Sequence, residues 1–220
     1  MLERFIHHLR VELPPDDETA DAARIRLREK FPRQAVRRMT HLGLLVGSAL
    51  DGLALGPDDA LVYASTFAET CALEDFLTSF PAASPLLFQT SIHPSAVQQV
   101  LIGRQQPLAR LWPLAGRARL VEQALLTALL ETSPRVALVG GEERGTWMLA
   151  HAMASPRSFA FAALLTPDPT YALGRLSFTP ENPAPPAAPC PSLEIFAQAL
   201  ATHQSLAWRG AGGTWVLSWS

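Results

Sequence analysis

The sequence predicts a layered α/β/α sandwich, and three observations carry that reading. Short apolar runs alternate with helical stretches along the chain, the pattern of strands and helices packed in layers. Two of the runs, residues 135–139 and 159–165, are apolar without alternation, as expected of strands covered on both faces. Residues 117–132 form a helical stretch in which Leu120, Val121, Ala124, Leu125, Ala128 and Leu129 make one broad apolar face, widened by Leu126 and Leu130. A helix that apolar packs on more than one side.

The elements follow in order. Residues 1–17 are weakly patterned and end in the turn-forming run Pro14-Pro15-Asp16-Asp17. Residues 19–31 read as a charged, exposed helix. Residues 34–50 read as a more apolar one, with Met39, Leu42, Leu44, Leu45, Val46 and Leu50 on its packed face. Residues 61–64 form a short strand, and Ser65-Thr66 is expected to open a helix with Thr66 and Glu69 at capping-box spacing. That helix ends near Phe80-Pro81, and residues 94–102 suggest another with Pro94 in its first turn. After the strand at 159–165 comes a proline-rich connector, residues 184–191. A helix at 193–202 and a terminal hairpin then follow, its strands at 206–208 and 214–217 flanking the Gly-rich turn from Gly210 to Gly213. Residues 1–183 are read as the main body of one domain, completed by residues 184–220.

Composition excludes several functions. The 220 residues are 48% hydrophobic and 17% charged with net charge −2, which suits one globular domain and offers no general attraction to nucleic acid or an anionic membrane. Arg33, Arg37 and Arg38 make only a short basic cluster. No apolar run is long enough to span a bilayer, and the polar start MLERFIHHLRVE is unlike a signal peptide, so a cytoplasmic location is expected. Cys71 and Cys190 define neither a disulfide framework nor a metal spacing, and no metal site or cofactor is expected.

Side chains that could carry chemistry have plainer readings beside them. Cys71, inside a predicted helix, is expected to be a structural thiol. His93 has no evident nucleophile to serve and is read as structural or pocket-lining. Glu142 and Glu143 could be paired acid–base carboxylates, but a solvated turn after a buried strand explains them with less. Gly140-Gly141 lacks the Lys-Ser/Thr of a phosphate loop. His7-His8 reads as a solvated terminal pair, and Trp112, Trp147, Trp208 and Trp215 as core or interface anchors. Ser65, Ser91 and Ser95 are the candidate nucleophiles of a stand-alone acyltransferase or hydrolase, but none lies in a Gly-x-Ser-x-Gly elbow. A homodimeric acyl-binding protein is the remaining alternative.

The order of motifs resembles the N-terminal half of the β-ketoacyl synthases. Residues 37–43 (RRMTHLG) look like the arginine-rich opening of that half. SIHPSAVQQ at 91–99 is similar to the segment lining its dimer interface and substrate channel, and VALVGGEE at 136–143 looks like its strand and Gly-Gly-Ala-Glu turn. The resemblance spans about residues 33–165 and implies a thiolase-like fold, N-terminal half only. Counting back from Gly140-Gly141 puts the family's nucleophilic cysteine near Ala115, where Leu114, Ala115 and Gly116 stand, and no His-Gly-Thr-Gly motif follows. This chain therefore most resembles the chain-length-factor proteins of aryl polyene pathways. The resemblance implies a catalytically silent partner of a complete β-ketoacyl-ACP synthase, with acyl carrier protein only an indirect partner. It places Phe88, Thr90, Ile92, His93, Ser95 and Gln98 on the substrate channel. It also makes Arg135, Val136, Ala137, Leu138 and Val139 the strand that pairs across the subunit interface.

Overall fold

A computed structural model describes residues 1–15, 18–31, 36, 39–182 and 189–220. Arg33, Arg37 and Arg38, and most of the connector at 184–191, lie outside the described residues. The strands are β1 (Leu2–Glu12), β2 (Ala60–Ser65), β3 (Arg110–Ala115), β4 (Val136–Glu142), β5 (Phe159–Thr166), β6 (Gly174–Pro180), β7 (Leu206–Gly210) and β8 (Gly213–Trp219). They form one mixed sheet in the order β3-β2-β4-β5-β1-β6-β8-β7. β2 lies parallel to β3 and to β4, and every other neighbouring pair is antiparallel. The described helices are α1 (Ala20–Arg28), α2 (His41–Ala49), α3 (Thr70–Thr78), α4 (Pro85–Ser91), α5 (Ser95–Arg104), α6 (Leu120–Leu130) and α7 (Leu193–Ala201), with a single 3₁₀ turn at Trp147–His151.

Two cores flank the sheet. On one face α6 and α7 pack on Val62, Ala64, Leu138, Phe161, Trp215 and Leu217. On the other, α2 and α5 pack on Leu61, Tyr63, Ala137, Val139, Ala160 and Ala162. β4 therefore sends alternate side chains into different cores, which is why it reads as continuously apolar. The fully buried α2 explains its own run, HLGLLVGSA: every face of it meets protein. The terminal hairpin of β7 and β8 joins the same sheet, since β8 pairs with β6 along seven residues.

Several expectations change. Residues 1–12, read as weakly patterned, form an eleven-residue strand paired on both sides, with β5 and β6. His7-His8 is thus not a solvated terminal pair. It lies beside a register shift in β1, and the His7 ring nitrogen Nε2 is 2.7 Å from the Asp168 carbonyl. No helix opens at Ser65-Thr66; α3 begins at Thr70, and residues 66–69 are loop. The interface strand is corrected as well. Arg135 to Val139 runs into β4, whose edges are already taken by β2 and β5, so it has no free hydrogen-bonding edge to offer another chain.

The Gly-Gly pair ending β4 has a steric cause. A Cβ on Gly140 would lie 2.5 Å from the buried Phe161 ring and 3.3 Å from the Ala64 carbonyl. One on Gly141 would lie 3.1 Å from the Phe159 carbonyl and 3.3 Å from Leu42 of α2. Both layers press onto the strand where a side chain would stand. Gly140→Ala and Gly141→Ala are each expected to lower stability by about 1–3 kcal/mol through overpacking, read as a lower urea midpoint at unchanged slope.

Candidate functional site

The start of α6, where the resemblance asks for a nucleophile, is built differently from the expectation. Ala115 ends the edge strand β3 rather than opening the helix. Gly116 follows at φ 141°, and the helix N-cap is Arg119 in the left-handed region at φ 55°. Arg119 pairs with Glu122 at 2.7 Å. The buried Glu122 carboxylate also accepts from the Trp208 indole at 3.3 Å and the Ala211 amide at 3.2 Å, so the terminal hairpin is tied onto the helix start. No thiol or hydroxyl side chain stands between Ala115 and Leu120.

The other candidate nucleophiles are engaged. Cys71 is not in mid-helix but in the first turn of α3, where a helix dipole favours a thiolate. Burial outweighs this, and with the Glu143 and Glu74 carboxylates pushes the thiol well above its usual range. Its Sγ donates to the Arg144 carbonyl at 3.3 Å. Ser65 donates to Glu142 at 3.2 Å, Ser91 to the Phe88 carbonyl at 2.8 Å, and Ser95 accepts from the Gln99 amide at 2.8 Å. These partners are a carboxylate, a carbonyl and an amide, none of them an imidazole. No group of three His, Cys, Asp or Glu side chains among the described residues is placed to hold a metal.

Glu142 and Glu143 do not form a solvated turn: they are 2% and 0% exposed. Glu142 accepts from Ser65 and from the Thr66 and Phe67 amides. Glu143 accepts from the Leu42 amide at 3.0 Å and the Cys71 amide at 2.8 Å, and lies 3.5 Å from His41. Buried carboxylates are tolerable here because helix and loop starts supply otherwise orphaned N–H donors. Glu69 does the same for Ala96 at 2.9 Å, and Glu74 for Thr146 and Met148 at 2.8 and 2.9 Å.

The residues expected on a channel divide into two sets. His93 and Ser95 turn inward: His93 stacks on Tyr63 at 4.9 Å and faces Glu69 at 3.4 Å, and Ser95 is buried. Phe88, Ile92 and Gln98 face outward, while the Thr90 hydroxyl donates to carbonyls of its own helix. Phe88 touches Phe76, which also meets Phe80. With Leu77 and Leu86, the latter 68% exposed, these side chains give α3 and α4 an apolar outer surface. No Asp, Glu, Lys or Arg occurs between Asp75 and Arg104, so the nearest charge to that surface along the chain is the exposed Asp75 of α3.

Sequence reasoning missed β3. It is one of the sheet's two edge strands, β7 being the other, with β2 on one side only, and Trp112 on it is 42% exposed. Pro113 was the available signal, since proline inside a strand marks an edge. At the strand's other end Glu131 accepts from the Trp112 indole at 2.7 Å and pairs with Arg110 at 2.5 Å. Burial pushes the Glu131 carboxyl up, but bonds from Trp112, Ser133, Thr132 and Arg110 outweigh it and hold the group down at about 2.

No protein-family model matches the chain, and neither does any curated protein. Solved structures do. One is "Ketosynthase (ApeO) in Complex with its Chain Length Factor (ApeC) from Xenorhabdus doucetiae", at 19% identity and TM-score 0.68, covering 99% of this chain and 100% of that one. Another is "The ishigamide ketosynthase/chain length factor", at 13% identity and TM-score 0.51, covering 92% of this chain and 60% of that one. The chain thus has the thiolase-like fold of the ketosynthase and chain-length-factor chains, at half size. It matches the first of those structures over a chain's whole length and spans three-fifths of the second.

Burial pushes the Glu142 carboxyl up to about 7 from its ordinary 4.5, against the pull of the Thr66 and Phe67 amides and the Ser65 hydroxyl. A carboxyl whose folded pKa lies above its unfolded one binds its proton more tightly in the folded state. Its contribution to stability is complete below 4.5 and is lost as pH rises to about 7. Glu131 has the opposite sign and acts in a separate window, losing its contribution as pH falls from 4.5 toward 2. Glu142→Gln is therefore expected to flatten the decline in unfolding free energy between pH 4.5 and about pH 7, a decline on the order of 3 kcal/mol in the parent chain. Chemical denaturation across that range checks it, and an unchanged slope contradicts it.

Proposed function

We propose that this chain is a catalytically silent, ketosynthase-like chain-length-factor subunit that pairs with a complete β-ketoacyl-ACP synthase and shapes the channel in which that enzyme's polyketide, aryl polyene or fatty-acid-like product grows. One observation carries the reading: a half-size thiolase-like unit has an open edge strand, β3, and a separate exposed apolar surface on α4 and the end of α3, within residues 76–103, which contain no Asp, Glu, Lys or Arg. Depletion of charge around exposed aromatic and aliphatic side chains marks the core of a stable interface. An unpaired strand edge offers main-chain hydrogen bonds to a partner strand. The edge role expected of residues 135–139 passes to residues 110–115. The likeness along its whole length to a chain in a ketosynthase–chain-length-factor complex supports the choice of partner.

The lack of a nucleophile at the start of α6, and of any hydroxyl bonded to an imidazole among Ser65, Ser91 and Ser95, supports the silent role. Incubated alone with acyl- and malonyl-loaded carrier protein, the chain is expected to form no covalent acyl adduct by mass spectrometry. A stoichiometric adduct would overturn the silent role.

Leu86→Asp and Phe80→Asp place a charge on the uncharged surface at exposed positions. Each is expected to leave the chain's own stability within about 0.5 kcal/mol and to weaken pairing at least about tenfold, measured by titration with the ketosynthase. Phe88→Ala and Ile92→Ala remove bulk from the same surface. They are expected to lengthen or broaden the products of the reconstituted pair with little change in melting temperature, because neither side chain is core. Unchanged product lengths contradict the channel-wall role.

A further inference from the structure

Four buried polar atoms without a hydrogen-bond partner among the described residues gather where α4 meets α5: the Tyr63 hydroxyl, Glu69 Oε2 and both ring nitrogens of His93. Buried polar atoms are normally paired, so a group of orphans in one place calls for an explanation. His93 stacks on the Tyr63 ring at 4.9 Å. Its Nδ1 stands 3.4 Å from Glu69 Oε2 without the alignment of a hydrogen bond.

The charge around this imidazole is one-sided. Tyr63 comes from β2, Glu69 from the residue before α3, and Glu142 and Glu143 from the end of β4; all three carboxylates act on the same phenol. Burial first, and then these carboxylates, push the phenol well above its usual range, so it stays neutral. His41 of α2 faces Glu143 at 3.5 Å, and α3 adds the Cys71 thiol, which donates to the Arg144 carbonyl. From α4 and α5 no compensating charge arrives before Arg104, since residues 76–103 contain no Asp, Glu, Lys or Arg.

The pair also stands where two helices turn. Pro94, the N-cap of α5, makes no side-chain cap, and Glu69 takes that place by accepting from the Ala96 amide at 2.9 Å. The Ser95 amide donates back to the Ile92 carbonyl at 2.8 Å, so Ile92 is tied to the start of α5. Ala68, just before Glu69, is held in the left-handed region at φ 57°, a strained backbone for a residue with a Cβ. The Glu69 side chain is fully buried whereas that of His93 is 14% exposed, so the imidazole, and not the carboxylate, reaches water by a small turn.

We infer that His93 and Glu69 form a proton-operated latch between the 66–69 loop and the α4–α5 junction. With both ring nitrogens protonated, His93 is a cation that closes on Glu69 Oε2 and satisfies it. Without that proton, Glu69 is left as a buried charge holding one amide, and His93 turns toward water and draws Ile92 with it. Imidazole is the side chain that ordinarily changes charge between about pH 5 and pH 8. The latch therefore closes on the acid side of that range and opens on the basic side. Resting on the pairing reading, it regulates the proposed surface at its Ile92 end, so that pairing with the ketosynthase tightens as pH falls.

Two measurements test it. In the full chain alone, NMR follows the His93 ring and the Ile92 and Ala96 amides from about pH 5 to pH 8. Ring and amides are expected to titrate together. Glu69→Gln, which removes the charge but keeps an acceptor for Ala96, is expected to move their common midpoint to lower pH. A ring that does not titrate, amides that ignore it, or a midpoint unmoved by Glu69→Gln overturns the latch. The second measurement is affinity for the ketosynthase, expected to be at least about fivefold weaker at about pH 8 than at about pH 6 in the parent chain and to change less than about twofold in His93→Phe, which keeps the stacked ring. An equal pH response in both chains overturns the regulation. Absence of pairing at both pH values overturns the pairing reading instead, while the NMR result still decides the latch.

Discussion

Carboxylates buried at the starts of helices and loops hold the architecture together. Glu143, at the end of β4, binds the first amides of both α2 and α3. Glu142 beside it fastens the 66–67 loop, Glu69 fastens the start of α5, and Glu74 fastens the 146–148 turn. Each acid joins segments far apart in sequence, so the ends of β2 and β4 act as one hub. A hydrogen bond to a buried charge contributes about 1.5–3 kcal/mol, and removing the acceptor strands the donors as well. The donors are N–H groups that a helix start leaves unpaired in any case, so their burial with a carboxylate satisfies both sides.

The hub sets where the surfaces lie. With α3 and α5 both fixed at their starts, the intervening α4 is carried outward, and its apolar residues stay exposed over a stretch without charge. The same α3 supplies Glu74, which holds the 146–148 turn against it. At the opposite limb the terminal hairpin closes on the start of α6 through Glu122. The proposed pairing surface therefore depends on these buried acids, although it faces outward through other residues.

The parts of this fold that were legible in sequence are those whose chemistry is uniform along the element. β4, β5, α6 and the terminal hairpin follow from apolar runs and Gly-rich turns. β1 was missed because its side chains, LERFIHHLRVE, are mostly half-buried, and charges and histidines obscure the alternation. β3 was missed because an edge strand is exposed, shows no continuous apolar run and carries a proline. Glu142 and Glu143 were misread because an acid after a glycine pair looks solvated unless the N–H groups that receive it are known. Those lie about 70 to 100 residues away in sequence, at Thr66, Cys71 and Leu42. The same gap hid the inward turn of His93 and Ser95, whose partners Glu69 and Gln99 come from tertiary packing and the local helix.

Hydrogen exchange of the chain alone and in the presence of a complete ketosynthase tests the central claim most directly. Pairing through the edge strand and the uncharged surface predicts new protection at residues 110–115 and 76–92, with β4 already protected in the free chain and unchanged on mixing. Protection that appears instead along β7, or no change anywhere on mixing, would contradict the account.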